Sequence, residues 1–317
     1  MEYTILKNSD LKVSRLCMGG CPMGGHGWGD VSDTNMINAV HTAIDQGVNF
    51  FDTADTYGLG KSEELLSRAI KGNREKVVIA TKFGVRVENG NTFYDNSPEW
   101  IEEAVKGSLK RLGTDYIDLY QIHYRDNKTN INDVIYKLED LKTKGYIRYY
   151  GLSNIHQGDK TELNSLIGKF VSFQDEYSLA NRKNEKDLLD LSNELELTPL
   201  TWGSLGQGIL TGKYDSKVKF GSDDRRSREI YVNFHGEKLK KNLEIVNVMR
   251  KISEQTGKTI PSIALRFILD HVPDSVVLAG IKNPNQLLSN LEAMQWNLSA
   301  EQIEKLLLIS EDKEVAK

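Results

Sequence analysis

From Arg15 onward the chain alternates, eight times, a short apolar run with a longer segment of helical periodicity. The runs lie at 15–19, 48–52, 77–82, 116–123, 147–153, 170–176, 198–202 and 275–280. Between and after them, helical patterns fall at about 33–46, 62–71, 98–112, 131–144, 157–168, 184–195, 237–256 with 260–271, and 284–294. Runs that are apolar at successive positions belong to strands buried on both faces, which implies a parallel sheet covered by helices. Eight such units close naturally into an α/β (β/α)8 TIM barrel.

The chain has 317 residues, more than the roughly 250 usual for such a barrel. The excess falls in an N-terminal hairpin at 2–13, two long loops at 83–97 and 203–235, and a terminal helix near 300–311. The hairpin is expected to plug the N-terminal end of the barrel. The loops are expected to cover its C-terminal face, because long loops in compact domains are usually functional. No linker composition divides the chain, so one domain is expected across 1–317. The charged stretch 214–236 is expected to be its most mobile part.

Lys plus Arg number 41 against 45 Asp plus Glu, a net charge of −4. That balance favours neither nucleic acid nor an anionic membrane surface. Cys17 and Cys21 have no second pair to complete a metal site, and read as buried free thiols in a reducing compartment. The N-terminus lacks a basic segment leading into an apolar one, and no apolar run reaches membrane-spanning length. A cytoplasmic protein without a membrane partner is the expectation.

The second apolar run ends in a carboxylate, Asp52, and opens into a loop carrying Tyr57. The following Gly58-Leu59-Gly60-Lys61-Ser62 ends like a phosphate-binding loop. The full pattern needs a glycine where Asp55 stands, and Ser62 reads instead as a helix cap. Other polar residues fall at or near the ends of later runs: Lys82 in the third, His123 in the fourth, Ser153 and Asn154 at the fifth, Gln174 in the sixth, Trp202 in the seventh. Singly, each has a packing or solvation explanation. Together they converge on the rim where barrel enzymes keep their chemistry.

Tyr57, with an ordinary pKa near ~10, is too weak an acid for reversible proton transfer at neutral pH unless a cation such as Lys82 lowers it. Asp52 would hold Lys82 by a partly buried ion pair, and His123 would donate a hydrogen bond to a substrate carbonyl oxygen. A site that protonates a carbonyl oxygen needs a nucleophile for the carbon. No Ser-His-Asp set or activated Cys is in evidence, and a nicotinamide hydride meets that need.

These residues sit within an ordered set: Phe51-Asp52-Thr53-Ala54 with Tyr57-Gly58, Thr81-Lys82, Gln121-Ile122-His123, Gly151-Leu152-Ser153-Asn154, and Gln174 with Glu176-Tyr177-Ser178. It continues through Leu205-Gly206-Gln207-Gly208, Leu210-Thr211-Gly212-Lys213-Tyr214, and Gly280 with Lys282, Gln286 and Asn290. Over essentially its whole length the chain resembles the aldo-keto reductase superfamily. The resemblance implies that Asp52, Tyr57, Lys82 and His123 are a catalytic tetrad with Tyr57 as general acid. It implies that Ser153, Asn154 and Gln174 hold the carboxamide of NADPH and that Trp202 stacks on its nicotinamide. Gly203, Ser204, Leu205, Gly206, Gln207, Gly208 and Lys213 would lie over the pyrophosphate. Gly280 would flank Lys282, which would meet the 2′-phosphate, and Gln286 and Asn290 would reach the adenine. Three positions depart from the usual pattern: Trp202 for Tyr, Gly203-Ser204 for Ser-Pro, and Ala279 for Pro.

The expected activity is NADPH-dependent reduction of an aldehyde or ketone, reversible, on a small-molecule carbonyl substrate. Trp28, Phe83 and Tyr124 are candidate substrate contacts; for Trp28 and Phe83, simple packing is an equal alternative. Two other functions stay open. The potassium-channel β subunits are similar to these enzymes, so a cofactor-sensing regulatory subunit is one. A Schiff-base role for Lys82 is the other, disfavoured because Asp52 would keep the amine charged.

Overall fold

The structure, a computed structural model, describes residues 1–29 and 31–311. An antiparallel pair, β1 (Tyr3–Ile5) and β2 (Lys12–Ser14), precedes the barrel strands β3 (Leu16–Gly19), β4 (Phe50–Asp52) and β5 (Val78–Phe83). A second antiparallel pair follows, β6 (Val85–Glu88) with β7 (Asn91–Tyr94). The barrel resumes with β8 (Ile117–Ile122), β9 (Ile147–Ser153), β10 (Ser172–Glu176), β11 (Thr198–Trp202) and β12 (Val276–Gly280). These eight parallel strands close in the order β3-β4-β5-β8-β9-β10-β11-β12, with β12 paired back to β3. The (β/α)8 expectation holds.

The helices start where local chemistry permits. Ser32 caps α1 (Asp33–Asp45), and the backbone N–H of Asn35 donates to its hydroxyl. Ser97 does the same for α3 (Pro98–Leu112), where Pro98 needs no donor in the first turn. Between them lies α2 (Lys61–Ala69). The remaining helices are α4 (Ile131–Thr143), α5 (Lys160–Leu163), α6 (Glu185–Glu194), α7 (Gly236–Thr256), α8 (Ile260–His271), α9 (Pro284–Leu291) and α10 (Ala300–Ser310). Their apolar faces pack on the outside of the barrel in one large core.

A second, smaller core fills the barrel interior: Cys17, Phe50, Val78, Ala80, Leu119, Leu200, Val276 and Leu278. Leu6, Leu11 and Val13 of the hairpin join it and are almost wholly buried. Lys7 N–H also donates to Thr198 Oγ1 at 2.8 Å, so the hairpin closes the N-terminal end as expected. Burying three such side chains is worth roughly 1.5–3 kcal/mol each.

Four local expectations need correction. The stretch 83–97 contains the β6–β7 hairpin, because Asn89-Gly90 supplies the two positive-φ residues of a tight turn. The weak helix at 157–168 is one α-helical turn flanked by 3-10 turns. The stretch 203–235 carries 3-10 turns at Gly206–Thr211, Arg225–Ser227 and Val232–Phe234. Finally, Ser62 does not cap α2: its hydroxyl donates to Gly20 O at 2.8 Å and bonds Thr53 Oγ1 at 2.8 Å. Fully buried, it ties the loop after β3 to the end of β4.

Candidate active site

Side chains alternate along a strand, so the positions that fill the lower interior predict which residues face inward higher up. Phe50 leads to Asp52, Val78 and Ala80 to Lys82, and Leu119 to Gln121 and then His123. The inward set becomes polar at the C-terminal end, where Asp52, Lys82, Gln121 and Gln174 are all at most 4% exposed.

At the centre is the Lys82 ammonium. It donates to Asp52 Oδ1 at 2.7 Å, to the Thr53 carbonyl at 2.9 Å and to Tyr57 Oη at 3.3 Å. Three acceptors match its three hydrogens. The ion pair is fully buried rather than partly so. Asp52 Oδ2 accepts from Gln174 Nε2 at 2.9 Å and from Gln121 Nε2 at 3.2 Å. His123 follows β8 with its N–H on the Phe83 carbonyl at 2.8 Å. Its ring meets Tyr57 edge to face, centroids 5.9 Å apart. The four residues of the proposed tetrad are therefore neighbours in space.

Tyr57 reaches this point through a close crossing. Gly58, at φ 63°, lies so near Gly24 that an added Cβ would stand 2.2 Å from the Gly24 carbonyl oxygen. Only glycine permits that backbone approach.

Burial dominates the electrostatics. It pushes the His123 imidazole well below its ordinary value, with the Lys82 charge acting in the same sense, so the ring is neutral near pH 7. Burial also pushes the Tyr57 hydroxyl well up, reinforced by Cys21 and Asp52. This corrects the expectation of a net lowering by Lys82: desolvating a phenolate outweighs one ammonium already paired with Asp52. Asp55, behind the site, is pushed up to about 8 by burial and by Glu63.

The candidate substrate residues divide. Tyr124 stacks on His123 with centroids 5.1 Å apart, and Tyr94 of the β6–β7 hairpin stacks on Tyr124 at 5.1 Å. Trp28 lies beside Cys21, its Nε1 donating to Sγ at 3.3 Å, with the Arg225 guanidinium 5.0 Å from its ring centre. Cys21 is only partly buried, unlike Cys17. Phe83 is not a substrate contact: fully buried, it packs on Tyr120 with centroids 4.7 Å apart. It follows the inward-facing Lys82 by one residue, so the pleat turns it outward to the helices.

The candidate cofactor residues line the same rim. Ser153 and Gln174 are register partners on adjacent strands. Ser153 Oγ is buried and has no hydrogen-bond partner among the described residues, which leaves it suited to a polar ligand group such as a carboxamide. Asn154, at φ 54°, donates from Nδ2 to the His123 carbonyl at 3.0 Å. Trp202 ends β11, followed by Gly203 at φ 66°. The Ser204 hydroxyl is turned inward and donates to Thr201 O at 2.7 Å. Leu205 leads into a tight turn where Gly206, Gln207 and Gly208 all have positive φ. The Gln207 side chain is held by Glu176 and Asn233. Lys213 Nζ lies 4.8 Å from the ring centre of Tyr214.

Beyond Gly280, Lys282 and Gln286 line one cleft of about 490 Å³ with Val31, Ser32, Asn35 and Asn283. The Lys282 ammonium donates to the Trp28 carbonyl. Asn290 is buried on the inner side of α9 and does not line this cleft.

From the sequence alone no role falls to Gln121, Tyr94, Arg225 or Arg226. Arg226 is a buried hub: it pairs with Asp224, donates to Tyr214 Oη at 2.8 Å and sits over Phe220. Arg225 N–H donates to the Gly27 carbonyl at 3.1 Å, and its Nη2 to the His26 carbonyl at 2.8 Å. The stretch expected to be most mobile is thus anchored through its charges. For Gln121 the available signal was its place two residues before His123 on the inward face.

The fold and the rim define a (β/α)8-barrel oxidoreductase. The aldo/keto reductase family profile matches residues 15–311, and the chain belongs to that family. It is 35% identical to the aldo-keto reductase YhdN of Bacillus subtilis over 95% of this chain and 91% of that one. It is 32% identical to the aldo-keto reductase yakc [NADP(+)] of Schizosaccharomyces pombe, covering 93% and 88%. To the NADH-specific methylglyoxal reductase of Escherichia coli it is 31% identical, covering 94% and 95%. Among solved structures, the glycerol dehydrogenase AKR11B4 of Gluconobacter oxydans superposes with a TM-score of 0.86. That enzyme shares 31% identity, with 96% of this chain and 94% of that one covered.

Proposed function

We propose that the chain reduces an aldehyde or ketone to the alcohol with NADPH, and runs the reverse oxidation with the same groups. The observation that carries this reading is the buried Lys82 ammonium, shared between Asp52, the Thr53 carbonyl and the Tyr57 hydroxyl. When bound, NADPH supplies hydride to the carbonyl carbon.

The protein's own groups do the rest. Tyr57 stays protonated at neutral pH and donates its proton to the carbonyl oxygen as negative charge develops there. Lys82, 3.3 Å from the phenolic oxygen, stabilises the phenolate left behind. Neutral His123 donates one N–H to the same substrate oxygen and orients it beside Tyr57. Asp52 holds Lys82 in place beside Tyr57.

Ser153, Asn154 and Gln174 would hold the carboxamide, the Ser153 hydroxyl having no hydrogen-bond partner among the described residues. Trp202 would cover the ring. The turn at Gly206–Gly208, with Lys213, would lie along the pyrophosphate. Lys282 and Gln286 would take the adenosine end, and a cation at Lys282 favours NADPH over NADH. The names of relatives point to both cofactors, so this preference rests on Lys282. The substrate is a small carbonyl compound entering past Tyr124 and Trp28.

The deciding experiment is Tyr57→Phe, assayed by NADPH absorbance across a panel of carbonyl compounds and by NADPH binding. Reduction should fall by about a thousandfold or more with binding retained. Activity close to wild type in that variant would refute the assignment of the acid.

A further inference from the structure

Gln121 stands beside Lys82 in register, on the inward face of β8, and is wholly buried. Its Nε2 donates to Asp52 Oδ2 at 3.2 Å, while its Oε1 accepts from Gln174 Nε2 at 3.3 Å. Gln174 Nε2 also donates to the same Asp52 oxygen at 2.9 Å. The Asp52 carboxylate is therefore held on both oxygens, by Lys82 on one and by two amides on the other. On the far side lies Gly151, where an added Cβ would meet Gln121 Cγ at an ordinary 3.4 Å but stand 2.7 Å from Ser172 Oγ.

Packing alone does not call for this residue. A buried primary amide costs free energy unless its polar atoms are paired, and an apolar side chain of similar length would fill the space. Its donor is spent on the one carboxylate whose charge the Lys82–Tyr57 pair depends on.

We propose that Gln121 is a positioning residue for the proton relay, fixing the Asp52 carboxylate so that Lys82 is shared with Tyr57, and coupling that carboxylate to Gln174. The inference rests on the proposed Asp52–Lys82–Tyr57 reading. Without the Gln121 donor, Asp52 Oδ2 keeps only Gln174, and the carboxylate draws the ammonium away from Tyr57. Asp52 is already among the groups that push the Tyr57 hydroxyl up, after burial and Cys21. The phenolate becomes harder to form. Charged or titratable groups facing Asp52 are Lys82, Tyr57, Cys17 and Cys21.

The test uses Gln121→Met, which keeps length and loses both the donor to Asp52 and the acceptor for Gln174, and Gln121→Glu, which keeps shape. A protonated Glu can donate to Asp52 and accept from Gln174, as the amide does. Two adjacent carboxyls share one proton, and a buried Glu in such a place loses it between about pH 6 and 9. With methylglyoxal and NADPH as probes, Gln121→Met should lower kcat by about tenfold. KM for the carbonyl, and the NADPH Kd read by fluorescence, should stay within about twofold. In alcohol oxidation the pH midpoint should move upward. Gln121→Glu should approach wild type at pH 6 and lose activity progressively as pH rises.

Wild-type kcat and pH profiles in both variants would overturn the inference, as would a rise in KM and Kd matching the loss in kcat. Should Gln121→Met fail to fold, the pH dependence of Gln121→Glu decides alone. Tyr57→Phe, run alongside, separates the two levels. Retained activity there sinks the whole reading, whereas loss there with an unaffected Gln121→Met sinks only the role of Gln121.

Discussion

The Lys82 ammonium and the Asp52 carboxylate meet at 2.7 Å with their side chains 1% and 4% exposed. Removing one member of such a pair strands the other charge in a dry interior, at a cost of about 3–5 kcal/mol. Lys82→Met should therefore be both inactive and destabilised. Adding Asp52→Asn should recover most of the stability and none of the activity. Chemical denaturation and NADPH turnover on both variants check this; activity in the double variant would refute the role of Lys82.

At the other end of the rim, Lys282 and Gln286 share one cleft. Replacing Lys282 by Ala should weaken NADPH by roughly ten- to a hundredfold, since a charge-assisted phosphate contact is worth about 1.5–3 kcal/mol. NADH should be nearly unaffected. Equal losses, measured by fluorescence titration of both cofactors, would remove the 2′-phosphate from this site.

Phe83 and Tyr124 are both candidate substrate contacts by sequence, and their places in the structure predict opposite behaviour. Phe83→Ala empties a packed position and should cost about 3–5 kcal/mol of stability, with KM for any carbonyl nearly unchanged. Tyr124→Ala exposes one face of His123 and should change KM and kcat across a carbonyl panel at little cost in melting temperature. A reversed pattern would mean that the two aromatic rings have been assigned the wrong way round.

Asp55, pushed up to about 8 by burial and then by Glu63, with Arg111 and Lys82 acting against them, makes stability depend on pH. Its folded state holds a proton that the unfolded chain releases near pH 4. Its contribution therefore diminishes as pH rises from about 4 to 8. Asp55→Asn imitates the protonated form. Its advantage over wild type should be larger at pH 9 than at pH 5 by on the order of 4 kcal/mol. Melting curves at the two pH values decide the matter; a constant difference would exclude Asp55 as the titrating group.

Much of this molecule can be read without coordinates because the signals are periodic and local. Eight apolar runs and the helices between them follow from side-chain alternation and cap residues such as Ser32 and Ser97. The candidate tetrad is legible for the same reason: Asp52, Lys82 and His123 come near strand ends with the parity of the inner face. The β6–β7 hairpin escaped because its strands are short and exposed, with their turn signal inside an apparent loop.

Ser62, Phe83 and Gln121 mark the boundary. For Ser62 the local pattern of a serine before glutamates suggested a cap, but a partner 42 residues away claims its hydroxyl. With Phe83, one step along the pleat separates the active site from the helical core. Gln121 gained a role only when β4, β5, β8 and β10 were brought around one carboxylate. The sequence by itself determined the order of elements, the parity of each strand and the chemical types on the rim, because these depend on neighbours along the chain. Only the tertiary structure decided which buried donor faces which acceptor, and that burial outweighs Lys82 at Tyr57. Hydrogen-bond partners and desolvation belong to groups that meet only when the barrel closes.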